Sequence, residues 1–326
     1  MALRQLEITI PENTQAKVRN ALADVAVIST TFQSMEAEQT LVRILIETTK
    51  TEAVIDHLER NFSHDERFRI TILPVEGTIP VIKPRTIIGQ KASPQRINRV
   101  ELLNDLASGV NPNRVFFATV LLSAMVAAIG LLRDDVAIII GAMVIAPLLT
   151  PNMALALGTT LGDMNLVRKA LKTTMIGVFL TVSFSIVLGF FSPPNLELAA
   201  IKLRTEVSVS DLILALAAGS AGALAFTTGV SAALVGVMVA VALMPPLVVF
   251  GLLLGSNHVG MSSGALLLFS TNIICVNLSG VLTFLAQGIR PKTWWETGRA
   301  KKATRIAILI WGSLLVILIW LLAFFL

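Results

Sequence analysis

The sequence predicts an α-helical polytopic membrane protein of about seven spans, carrying a small N-terminal α+β domain of the ferredoxin-like kind. Three observations carry this. Hydrophobic residues make up 54% of the 326 and charged residues only 14%, where a water-soluble globule has roughly 25%. From Val115 onward the charges fall in short clusters between long apolar runs, the pattern of membrane spans. The first 80 residues differ: they hold 8 Lys/Arg against 12 Asp/Glu, and their apolar residues alternate with polar ones.

Residues 1–80 read as βαββαβ. Leu6, Ile8 and Ile10 alternate with Glu7 and Thr9 in a first strand. Pro11-Glu12 opens a helix carrying Ala16, Val18, Ala21 and Leu22, and Val25–Phe32 forms the second strand. Val42, Ile44 and Ile46 define a third strand, Thr51-Glu52 starts a helix bearing Ile55 and Leu58, and Phe68, Ile70 and Ile72 define the last strand. This order is the split βαβ unit. Its free sheet face is expected to bind a small effector or to assemble copies of the chain, with a homotrimer as the working expectation. Met1–Asn13 has no basic stretch leading into an apolar core, so it does not read as a signal peptide, and the domain is expected in the cytoplasm.

Residues 81–112 read as a linker and an amphipathic juxtamembrane helix. The chain is extended around Pro80 and Pro84; Ser93 then caps a helix with Pro94 at its first position. Ile97, Val100, Leu103 and Leu106 form its stripe, and Gly109 ends it. The transmembrane domain, 113–326, holds apolar segments at 115–132, 136–161, 168–191, 211–227, 230–254, 262–286 and 305–326. Proline interrupts the second and the fifth.

Those two segments share a pattern. Gly141, Met143, Val144, Leu148 and Pro151 recur as Gly236, Met238, Val239, Leu243 and Pro246, each 95 residues later. The same offset places 115–191 on 210–286, two units of helix, interrupted helix, helix. Consecutive units with an odd number of crossings point in opposite directions, so the pattern predicts an inverted repeat. Loop charge agrees. Full crossings put fifteen Lys/Arg, including Arg168, Lys169 and Lys172, on the side of the N-terminal domain, and only Arg133, Lys202 and Arg204 opposite. The reading is an integral protein of a bacterial-type plasma or a thylakoid membrane.

Candidate pathway residues follow from the breaks. Proline removes a backbone donor and frees a carbonyl, and lipid satisfies neither. Pro147 precedes Thr150-Pro151-Asn152, which reads as a cap opening a second half-helix; Met244-Pro245-Pro246 reads as its counterpart. Two half-helix N-termini aimed at one centre favour an anionic or neutral solute. Thr271, Asn272, Asn277 and Ser279 add polar groups to the middle of 262–286. Packing between helices accounts for such polar residues equally well. The acidic residues Asp134, Asp135, Asp163 and Asp211 sit at span ends, as caps or surface charges.

No HExxH, GxSxG, P-loop or GxGxxG pattern occurs, so no enzyme, cofactor or metal site is expected. The lone Cys275 excludes an intramolecular disulfide. The net charge of +5 comes from juxtamembrane segments and suits anionic lipid rather than nucleic acid.

The stretch Leu73–Pro80, the turn Ile129–Asp135 and the block Ile139–Pro147 together resemble the bacterial and cyanobacterial hydrophobic-domain family catalogued as domain of unknown function 389. The resemblance covers most of the chain. It implies the architecture above and names no solute. The expected function is a transporter or channel with a regulatory or oligomerising soluble domain. The alternative is a membrane-anchored sensor or scaffold whose soluble domain binds an effector.

Overall fold

The computed structural model describes residues 3–23, 27–35, 39–62, 68–78, 97–228 and 232–289, with 309, 311–313 and 316. Two compact units emerge, Met1–Leu102 and Leu103–Leu326.

In the first unit the elements run β1 (Leu3–Pro11), a 3-10 turn (Glu12–Thr14), α1 (Gln15–Ala23), β2 (Ser29–Met35), β3 (Gln39–Glu47), α2 (Thr48–Phe62) and β4 (Arg69–Val75). The antiparallel sheet has the order β2-β3-β1-β4. Strand β1 is therefore parallel to β2 with β3 between them, and β3 is parallel to β4 with β1 between them. Alternation decides which face is buried: Leu6, Ile8, Ile10, Val42, Ile44 and Ile46 pack on Val18, Leu22, Val54, Ile55, Leu58 and Phe62. The other face is polar, with Glu7 directly opposite Arg43 and an ion pair of 2.9 Å between them.

Some expected boundaries shift. The second strand is Ser29–Met35, not Val25–Phe32. Ala16 is exposed, so α1 packs through Val18 and Leu22. Helix α2 begins at Thr48, three residues before Thr51-Glu52.

Helix α3 (Arg99–Ser108) is capped by Asn98, whose Oδ1 accepts from Val100 N at 2.9 Å. It buries Leu102 and Leu106, so of the expected stripe Leu106 is buried while Ile97, Val100 and Leu103 are half-buried. The expected cap at Ser93-Pro94 and the extended stretch through Pro84 lie outside the described residues.

The second unit is helical: α4 (Arg114–Leu132), α5 (Val136–Ile145), α6 (Leu149–Leu161), α7 (Met164–Phe191), α8 (Ala199–Lys202), α9 (Val209–Thr228), α10 (Ala232–Gly255) and α11 (Val259–Ala286). Among the described residues, α4, α7, α9 and α11 are long and apolar enough to cross a membrane. The pair α5–α6, bent by 53° at its break, passes the same test when its halves are taken as one span, which gives up to five, and α10 has a shorter apolar stretch, Ala242–Gly255. At about 1.5 Å per residue α5 and α6 add about 15 and about 20 Å, enough for the ~30 Å hydrocarbon layer. The seventh expected span, 305–326, lies almost wholly outside the described residues.

The break does not fall where Thr150-Pro151-Asn152 predicted a cap. It falls at Ala146-Pro147-Leu148. Proline disfavours the helical region for the residue before it, and Ala146 is accordingly extended, with φ −64° and ψ 119°. Pro151 then sits in the first turn of α6, where a missing N–H costs little. The second expected break is absent: α10 runs unbroken through Pro245 and Pro246.

Helix boundaries recur at the 95-residue offset. Arg114, Met164 and Phe191 map onto Val209, Val259 and Ala286, the limits of α9 and α11. The turns after the middle helices match as well. Gly162 (φ 72°) and Asn257 (φ 65°) both adopt the left-handed cap conformation. Asp163 N donates to Gly158 O and His258 N to Leu253 O in the same register.

Small residues let α7 and α10 touch backbone to backbone. A Cβ on Gly251 would strike Ser185 Cβ, one on Gly255 would strike Ile186 O, and one on Gly189 would strike Leu252 O. Gly141, in contrast, has open space. Gly255→Val is therefore expected to lower stability in detergent by roughly 1–3 kcal/mol, and Gly141→Ala to leave it within about 0.5 kcal/mol; thermal unfolding of the two purified variants checks this.

Candidate functional site

Buried polar side chains of the apolar bundle lie on α4 (Ser123), α7 (Thr173, Thr174, Thr181 and Ser185), α6 and α11, and the buried amides lie on the last two. Asn152, in the first turns of α6, is fully buried and donates through Nδ2 to Leu148 O at 2.7 Å, the carbonyl just before the helix and just after the break. Its Oδ1 accepts from Asn277 Nδ2 at 2.9 Å, and Asn277 also donates to Ile273 O at 2.8 Å. This pair joins α6 to α11 across 125 residues of sequence.

Asn272, one turn and a half earlier on α11, has a different task. Its Nδ2 donates to Ala242 O at 2.7 Å. Ala242 lies four residues before Pro246, so its carbonyl is the one that Pro246, lacking an N–H, leaves without a helical donor. The side chain of α11 replaces the missing backbone bond of α10. The equivalent position in the first unit, 95 residues earlier, is Gly177, which has no side chain to offer, and its ideal Cβ would face Leu148 and Phe116. The helix is broken on the side without the donor and continuous on the side that has it.

Of the other expected site residues, Pro147 and Thr150 are half-buried at the break, and Pro151, Met244, Pro245 and Pro246 are buried. Thr271 and Ser279 are buried but bond within their own helix, to Leu267 O (2.8 Å) and Val276 O (3.2 Å), so they do not join the cluster. Sequence reasoning missed Ser123, whose Oγ donates to Ala142 O at 2.7 Å in the last turn of α5. A hydroxyl in an Ala-rich helix gives no signal of its own. It also missed the Gly251/Gly255 spacing, which was readable as a close-packing motif.

Among the described residues no group of three His, Cys, Asp or Glu could hold a metal. The acidic residues at span ends act as caps. Asp135 accepts from Ala137 N and Ile138 N, Asp163 from Asn165 N and Leu166 N, and Asp134 from Ala200 N of α8 at 2.7 Å. Arg204 donates to Ala200 O at 2.7 Å; its removal from water depresses its pKa, and the nearby Asp134 charge opposes that shift.

The family model described as a domain of unknown function (DUF389) matches residues 143–278. An uncharacterised protein of Methanocaldococcus jannaschii is 37% identical over 275 residues, covering 84% of this chain and 85% of that one. The chain belongs to the DUF389 family. No solved structure matches it. The DUF389 match runs from the last turn of α5 to the middle of α11, and so contains the break, the proline pair and all three asparagines. The relative is archaeal, so the resemblance reaches beyond bacteria.

In this DUF389 protein, replacing either partner of the Asn152–Asn277 pair by leucine is expected to cost about 1–3 kcal/mol, because the other amide stays buried without its bond. The double replacement should cost less than the sum of the two, with a coupling of about 0.6–1.7 kcal/mol as found for side-chain hydrogen bonds inside membranes. Unfolding of the four proteins in one detergent reads the cycle, and strict additivity would mean that the two amides do not interact.

Proposed function

We propose that this membrane protein is a transporter or channel for a small solute, built from two inverted three-helix units, with its path between α5–α6 and α10. The observation that carries the reading is the break at Ala146–Leu148. A helix interrupted inside an apolar bundle exposes backbone groups that lipid cannot satisfy, and such breaks persist where they line a cavity or are held by protein.

The inversion has support of its own. Ala156 on α6 meets the Cβ position of Gly280 on α11, and the equivalent pair, Gly251 on α10 and Ser185 on α7, is also in contact. Reciprocal contacts of this form belong to a two-fold arrangement. Along α6 and α11 the contacts run in the same direction, Asn152 to Asn277 and Ala156 to Gly280. A middle helix of one unit parallel to the third helix of the other requires the units to point oppositely. With the last segment, 305–326, the count of spans would be seven, and the loop charges would place the N-terminal domain in the cytoplasm of a plasma-type or thylakoid membrane. That domain would regulate the path or assemble copies of the chain, a trimer being the working form.

The sensor or scaffold reading draws on a different observation, the close packing of the centre, where Asn152, Pro151, Pro246 and Asn277 are all buried. Cysteine accessibility separates the two. In a Cys275→Ala background, single replacements Pro147→Cys, Thr150→Cys and Asn272→Cys are treated with a membrane-impermeant thiol reagent from each side. The transport reading expects labelling at Pro147→Cys and Thr150→Cys from at least one side. Complete protection of all three from both sides, in protein that labels after denaturation, would shift the assignment to the scaffold.

A further inference from the structure

We propose that the break between α5 and α6, together with the side-chain oxygens of Asn152 and Asn277, binds a small monovalent cation. Pro147 and Pro151 bring no N–H to the break. The last carbonyls of α5 lack helical donors in any case. Asn277 spends both of its N–H groups, on Asn152 Oδ1 and Ile273 O. That leaves Asn277 Oδ1 buried with no hydrogen-bond partner, on a residue with 0% exposure. The amide orientations are set by backbone carbonyls, which only accept, so the free atom is the oxygen. Asn152 Oδ1 accepts a single bond from Asn277 and keeps a second lone pair.

The break thus holds the carbonyl end of α5 as well as the N–H groups of Leu149 and Thr150 that open α6, and the unpartnered side-chain atom, Asn277 Oδ1, is an acceptor, which suits a cation. The expectation of an anion rested on two half-helix N-termini, and α10, being continuous, supplies none at Pro246. No charged residue occurs within α5, α6, α10 or α11. A divalent ion calls for carboxylates; a monovalent ion is held by neutral carbonyl oxygens.

The inference rests on the proposed function only for placing the site on a pathway. Its test is thermal unfolding of the purified full-length protein in sodium, potassium or N-methyl-D-glucamine chloride at equal ionic strength. The site predicts a saturable rise in Tm with sodium or potassium and none with the organic cation. Asn277→Leu should raise the half-saturating concentration at least about tenfold. Asn277→Asp keeps Oδ1 but turns the donor that faces Asn152 Oδ1 and Ile273 O into an acceptor, so it too should change the half-saturating concentration. Equal Tm in all three salts, as when only water fills the site, overturns the proposal, as does a shift unchanged in both variants. Parallel isotope flux into proteoliposomes separates the two readings: saturable stabilisation without flux keeps the site and removes the pathway, and flux without stabilisation does the reverse.

Discussion

A membrane interior offers no partner to a backbone N–H or C=O, and the rest of this structure follows from how the chain meets that constraint. Proline in a helix costs about 3 kcal/mol, much of it from one lost hydrogen bond and one stranded carbonyl. The two halves of the membrane unit answer it differently. In the second, Asn272 reaches from α11 to the carbonyl stranded by Pro246, and α10 stays whole. In the first, Pro147 forces Ala146 out of the helical region, Gly177 offers no donor, and the helix ends and restarts. Asn152 then donates to Leu148 O beside the break and is itself held by Asn277.

The remaining packing is arranged around these few bonds. Glycines and small residues on α7, α9, α10 and α11 bring the helices to backbone contact, which fixes the height at which one helix faces another. A buried amide finds its carbonyl only if that height is right. Gly219 on α9, for instance, lies against Val276 and Ser279, the neighbours of Asn277. The soluble domain obeys ordinary aqueous rules instead: one sheet face packs on two helices, and the other is polar and carries a cross-strand ion pair.

Much of this was legible in the residues. Period-two alternation placed the first, third and last strands; the second, Ser29–Met35, has no buried residue to mark it and was begun four residues early. The apolar runs placed the long helices, and the constant offset of 95 between the two Gly-x-Met-Val blocks foreshadowed helix boundaries that agree to within a residue or two. The middle helices were misjudged for an identifiable reason. Prolines signal that a bond is missing, but whether the helix breaks depends on a donor from another helix, and Asn272 lies 26 residues beyond Pro246. Nothing local distinguishes Asn272, which repairs α10, from Thr271, which bonds its own helix. The position of the first break was recoverable from the rule that a residue before proline leaves the helical region; Pro151 matches the repeat, but Pro147, which the second unit lacks, sets the break.

If the two units are copies that face opposite ways, as proposed, the equivalent turns at Gly162 and Asn257 lie on opposite sides of the membrane. The direct measurement is sided labelling of Asp163→Cys and His258→Cys in the Cys275→Ala protein, expressed in an intact membrane, with an impermeant thiol reagent applied from outside. The account predicts that His258→Cys reacts and that Asp163→Cys reacts only after the membrane is opened. Reaction of both from the same side would contradict it, since two units joined in that way could not be inverted.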